Sequence, residues 1–150
     1  MKSILTILTI SSLYIATVWA QASFIGSPAP GTTIPFGSEL TVQVVRPNSI
    51  EGGIEVGIVI TLLACPTTQE AVCPSPAGQL GQILFTGQFA PTLHAMAQIY
   101  ENFTVSVPPA ANFNGETGRA QLAVVRLYLI GVRAPPYMWI PGMCVLTEMY

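Results

Sequence analysis

Apolar residues alternate with polar ones in several stretches of this chain, and no run of ten residues keeps a persuasive helical spacing. A period of two sends alternate side chains to opposite faces, which is the mark of a strand with one face in a core. Between Glu39 and Arg46, Leu40, Val42 and Val44 alternate with Thr41 and Gln43, predicting a half-buried strand. Phe103, Val105 and Val107 alternate with Thr104 and Ser106, and Pro108-Pro109 closes that run. Ile54 to Ala64 is β-branched and nearly all apolar, as a central strand is, with Gly57 marking a bulge or a close approach. Gly118 to Ile130 is long and central, and Gly81 to Phe89 is a strand pair or one bent strand. Ala90 to Glu101 is ambiguous, with room for a helical turn. Turn formers separate these runs, among them Pro28-Ala29-Pro30-Gly31, Pro35-Phe36-Gly37 and Glu51-Gly52-Gly53. Six or seven strands so spaced predict an all-β sandwich. Its expected core contains Leu40, Val42, Val44, Ile58, Ile60, Leu62, Phe103, Val105, Leu122 and Val124.

The first twenty residues read as an address. Lys2 supplies a positive start, and Ile4 to Val18 is an apolar run broken by Ser11, Ser12 and Thr17. Val18-Trp19-Ala20 and Ala20-Gln21-Ala22 are two overlapping small-x-small cleavage candidates. The pattern is that of a secretory signal peptide over residues 1–20, with cleavage after Ala20 or Ala22. The run is short for a membrane span, and no later segment is long and apolar enough to be one. The expected product is a secreted, extracellular domain.

Charge narrows the function further. Only 8% of the 150 residues are charged, with a formal net charge of -2, and there is no aspartate. Nucleic-acid binding, which needs clustered Lys and Arg to displace counterions, is not expected. Catalytic groups are scarce. The single histidine, His94, has no G-x-S-x-G or comparable motif beside it, and reads as a loop residue. Glu39, Glu51, Glu55, Glu70, Glu101 and Glu116 could supply a carboxylate pair for glycoside hydrolysis, but they fall mostly at strand starts and turns, where solvated charge is ordinary. No catalytic, metal or cofactor site is expected.

Of the three cysteines, Cys65 and Cys73 enclose seven residues rich in turn formers. In an oxidising compartment a local disulfide fits them, with free thiols or metal ligands as the alternatives. Cys144 is then the odd one. Asn102-Phe103-Thr104 is an N-glycosylation sequon at the start of a strand. Some of the phenylalanines are expected in the core, and others in an exposed contact patch.

The ordered segments also carry a resemblance. They are Pro30 to Val45, Glu55 to Cys65, Gly78 to Pro91, Tyr100 to Pro108 and Gly118 to Gly131. Their motifs read P-x-x-G-T-x-I-P-x-G, L-G-x-I-L-x-x-G and Y-x-N-F-T-V-x-V-P. Over about Ser23 to Gly131 the chain resembles the necrosis-inducing secreted protein family of fungal effectors, especially its versions in mushroom-forming fungi. The resemblance implies an immunoglobulin-like sandwich over residues 23–131, secretion and no enzymatic activity. Some members of that family suppress plant immunity by binding kinases associated with pattern-recognition receptors. The expected function is therefore an effector-like protein that binds a host or environmental protein. The alternative is a cell-wall or glycan-associated module. Such a module usually presents a planar aromatic platform, and beyond the signal region this chain offers Trp139, Tyr100, Tyr128 and Tyr137.

Residues 132–150 read differently from the rest. Pro135, Pro136 and Pro141 remove ladder donors, and Trp139 and Cys144 cluster there. Val132-Arg133 is also what a splice-donor sequence encodes when read through. The segment is expected to be an atypical tail of altered or intronic origin, leaving the sandwich without its native last strand and with an open sheet edge.

Overall fold

The computed structural model describes residues 23–46, 48, 53–66, 73–113, 118–130, 137–139 and 142–149, with the backbone alone from residue 130 onward. The leader over residues 1–20, and Glu51, Glu70 and Glu116, lie outside the described residues.

Among the described residues ten strands follow one another: β1 (Phe24–Ser27), β2 (Thr33–Ile34), β3 (Glu39–Arg46), β4 (Gly53–Ala64), β5 (Gln82–Gly87), β6 (Thr92–Leu93), β7 (Ile99–Ser106), β8 (Gly118–Ile130), β9 (Tyr137–Trp139) and β10 (Gly142–Met149). That exceeds the expected six or seven, because β1, β2, β6 and β9 are too short to show a period. The ambiguous stretch from Ala90 resolves into β6, a 3-10 turn at Ala95–Ala97 and the start of β7.

The strands form two sheets, ordered β1-β3-β7-β6 and β2-β10-β8-β4-β5, with β9 beside β8. In the lettering of immunoglobulin domains the first is A-B-E-D and the second is G-F-C with C′. The opening strand is divided between them. β1 pairs antiparallel with β3, whereas β2 runs parallel to β10, with Glu148 opposite Thr33 and Met149 opposite Ile34.

The last strand is present, contrary to the expectation for residues 132–150. β10 pairs antiparallel with β8 from Gly142 opposite Val125 to Met149 opposite Gly118. β9 continues along the same side, from Tyr137 opposite Ile130 to Trp139 opposite Tyr128. The reason lies in where the prolines fall. Pro135 and Pro136 precede β9, and Pro141 falls between β9 and β10, so none stands within either described strand.

The core sits between the sheets. Val42, Val44, Ile58, Ile60, Leu62, Phe103, Val105, Leu122 and Val124 are buried as expected, and Leu40 packs half-buried against them. Each fully buried aliphatic side chain contributes roughly 1.5–3 kcal/mol. Phe103 anchors an aromatic group, with ring centroids 4.9 Å from Phe85 and 6.3 Å from Phe89. Antibody domains join strands B and F with a disulfide. In this chain the corresponding strands, β3 and β8, carry Val42, Val44, Leu122 and Val124 into the shared core, so apolar packing stands where that disulfide would be.

Gly81 brings β5 onto the sheet. A Cβ there would lie 2.1 Å from the Leu62 carbonyl oxygen, so the chain can pass only if this residue has no side chain.

Candidate interaction surface

β4 and β8 lie at the centre of the larger sheet, and both carry apolar residues on both faces. Their inner positions pair as Ile58 with Arg126, Ile60 with Val124 and Leu62 with Leu122. A slip between Glu55 and Gly57 makes Val56 the extra residue of a bulge, as Gly57 hinted. The intervening positions pair as Ile54 with Leu129, Gly57 with Leu127 and Val59 with Val125, and form the outer face. Ile54 is 65% exposed, and Val59, Val125, Leu127 and Leu129 are partly exposed. On β5, Ile83 is 59% exposed and stands opposite Thr61, while Thr86 stands opposite Val59. In the strand order β5 ends its sheet, and its sequence, Gln82 to Gly87, has neither charge nor proline to guard that edge.

The disulfide limits this patch at one end. Cys65 and Cys73 are bonded, with Cα atoms 4.9 Å apart. Just beyond the bridge, the Pro74 carbonyl oxygen accepts a hydrogen bond of 3.0 Å from Gln121 Nε2, on the outer face of β8. The segment after the bridge therefore lies over that end, where Thr61, Gln121 and Ala123 are buried. The open part of the face is the half around Ile54, Val59 and Leu127.

The other end of the core holds a buried charge that the sequence reading missed. Arg126 occupies an inner position of β8 and is only 4% exposed. Its Nε and Nη2 donate to the two Glu55 oxygens at 2.7 and 2.8 Å. Nη1 donates to Ser23 Oγ, and the guanidinium lies 4.5 Å from the Tyr128 ring centroid and 5.5 Å from that of Phe89. Arg46 at the end of β3 adds a longer contact to Glu55, 3.5 Å. A forked, charge-assisted pair flanked by two ring faces is how a buried guanidinium is stabilised. The group joins the two sheets, and it occupies the Glu55 carboxylate. The sequence signal was the pair of charges, Glu55 and Arg126, flanked by apolar residues in the two long central strands.

The remaining candidate residues are scattered. Glu39 opens β3 opposite Ser106, and Glu101 Oε2 accepts from the Ala90 backbone N–H at 2.6 Å. Cys144 stands opposite Ala123 in the β10–β8 register. His94 is exposed, and its Nε2 lies 3.0 Å from Thr92 Oγ1 and 3.2 Å from the Tyr100 carbonyl oxygen. Its ring stacks on Tyr100 with centroids 3.6 Å apart. Among the described residues no group of three His, Cys, Asp or Glu side chains is placed to hold a metal ion. No described helix is long and apolar enough to cross a membrane. Asn102 and Thr104 are exposed on β7, and Phe103 between them is in the core.

No protein-family model matches the chain, and no curated protein matches it.

Proposed function

We propose that this chain is a secreted, non-enzymatic protein of the effector kind, which binds a protein partner through the outer face of its larger sheet. The observation that carries the reading is the apolar outer face of β4 and β8, with Ile54 there and Ile83 on β5 more than half exposed. A contiguous apolar surface beside an unguarded strand edge favours a protein ligand, which can cover side chains and pair with backbone together. The leader-like start of the sequence and the Cys65–Cys73 bridge support the secreted part of the proposal. Ligation of Glu55 by Arg126, and the contacts of His94 with a hydroxyl and a carbonyl, favour structural duties for the groups best suited to catalysis. The resemblance to fungal effectors suggests the partner: a plant kinase associated with pattern-recognition receptors.

The test is an elicitor-triggered oxidative burst in leaf tissue expressing the mature chain. The expected result is a reduced burst, restored to full size when Ile54→Glu and Ile83→Lys are introduced together. An undiminished burst, together with retention of the purified protein on chitin or β-glucan, would favour a wall-associated module instead.

A further inference from the structure

The smaller sheet turns a different face to solvent, and a modification site stands on it. Tyr100, Asn102 and Thr104 are alternate residues of β7, so all three point outward while Phe103 and Val105 enter the core. Asn102 stands opposite Gln43 of β3, and its Oδ1 accepts from Gln43 Nε2 at 3.2 Å. Thr104 stands opposite Thr41. Between them this surface has only uncharged polar side chains, in contrast to the apolar outer face of the other sheet.

Tyr100 lies one pleat before Asn102, roughly 6–7 Å along the strand, within reach of a sugar attached to Asn102. Its ring is not free to swing. His94 stacks on it nearly parallel, at 10° between planes. His94 is held there by its backbone N–H, which donates to the Gln98 carbonyl oxygen at 2.7 Å, and by Nε2, which lies 3.0 Å from Thr92 Oγ1. Tyr100 is partly exposed on the same face of the sheet as Asn102.

We infer that Asn102 carries an N-linked glycan whose first sugar packs against Tyr100, with His94 as the backing of that ring. The inference rests on the secreted reading above. In the transfer step the Asn102 Nδ2 forms a bond to C1 of an oligosaccharide held on a lipid diphosphate. The C1–oxygen bond to the diphosphate breaks, the diphosphate leaves with that electron pair, and one amide proton is lost. The threonine at the second position after the asparagine, Thr104, presents its hydroxyl on the same side of the strand. The glycan would cover the β3–β7 face and leave the β4–β8 face as the open one.

The experiment expresses the full chain in a eukaryotic secretory host and treats the released protein with a peptide-N-glycosidase. The expected result is a loss of mass in the wild type and in Tyr100→Phe, and none in Asn102→Gln or Thr104→Ala. Deglycosylation is expected to lower the melting temperature of the wild type and Tyr100→Phe by roughly 2–5 °C, and to leave Tyr100→Ala and His94→Ala nearly unmoved. Secreted protein without glycosidase-sensitive mass overturns the inference while leaving the secreted reading intact. A bare chain retained inside the cell overturns both. An equal thermal shift with and without the Tyr100 ring overturns the packing.

Discussion

Arg126 is the residue whose environment is most demanding. It sits where its neighbours on β8, Val124 and Leu122, are aliphatic, and it is held by Glu55, Ser23 and two rings. Removing one member of such a pair leaves an uncompensated charge in the core. Glu55→Ala is expected to cost about 3–5 kcal/mol in denaturant unfolding. Glu55→Leu combined with Arg126→Met should recover most of that loss, because an apolar pair of similar volume avoids the desolvation of both charges. A double variant no more stable than Glu55→Ala would mean that the pair is needed for more than mutual neutralisation. Gly81 is limited by space instead of charge. Gly81→Ala would press a methyl against the Leu62 backbone, and a loss of about 1–3 kcal/mol is expected from that overpacking.

Among the elements, the loop between β4 and β5 depends most on a covalent tie. Replacing Cys65 and Cys73 together with serine is expected to lower stability by roughly 2–3 kcal/mol, the chain-entropy value for so short a loop. It should also release the Gln121 side chain, whose Nε2 donates to the Pro74 carbonyl oxygen just beyond the bridge. The long elements were legible from sequence: β3, β4, β7 and β8 carry either the period of two or an unbroken β-branched run, and Cys65 and Cys73 were close enough in sequence to be paired. The remaining elements were not. β1, β2 and β6 span two to four residues, less than the length over which alternation can be recognised. β10 was obscured by prolines that flank its ladder without entering it. The outer face of β4 and β8 was half legible. An apolar run announces a central strand, but it does not say whether its second face is covered or open.

At the scale of the molecule, the central strands of the two sheets show solvent different faces, although β1 and β6 of the smaller sheet also expose Phe24 and Leu93. At mid-sheet the outer face of β3 and β7 is polar, with Thr41, Gln43, Asn102 and Thr104, whereas that of β4 and β8 is apolar and open around Ile54, Val59 and Leu127, with Ile83 exposed on β5 opposite Thr61. An asymmetric sandwich of this kind has one surface suited to water and another suited to a partner. Charges placed on exposed positions of the second surface should leave folding within about 0.5 kcal/mol of the wild type, because neither side chain is part of the core. The central claim, that this surface is the binding face, is tested most directly by co-purification from plant leaf membrane fractions that contain receptor-associated kinases. The mature wild-type chain is compared with Ile54→Glu/Ile83→Lys and with Thr41→Lys on the opposite sheet. The expected result is recovery of a receptor-associated kinase with the wild type and with Thr41→Lys, and its loss with the double variant at unchanged melting temperature. Equal recovery with all three proteins, or loss only with Thr41→Lys, would contradict the claim.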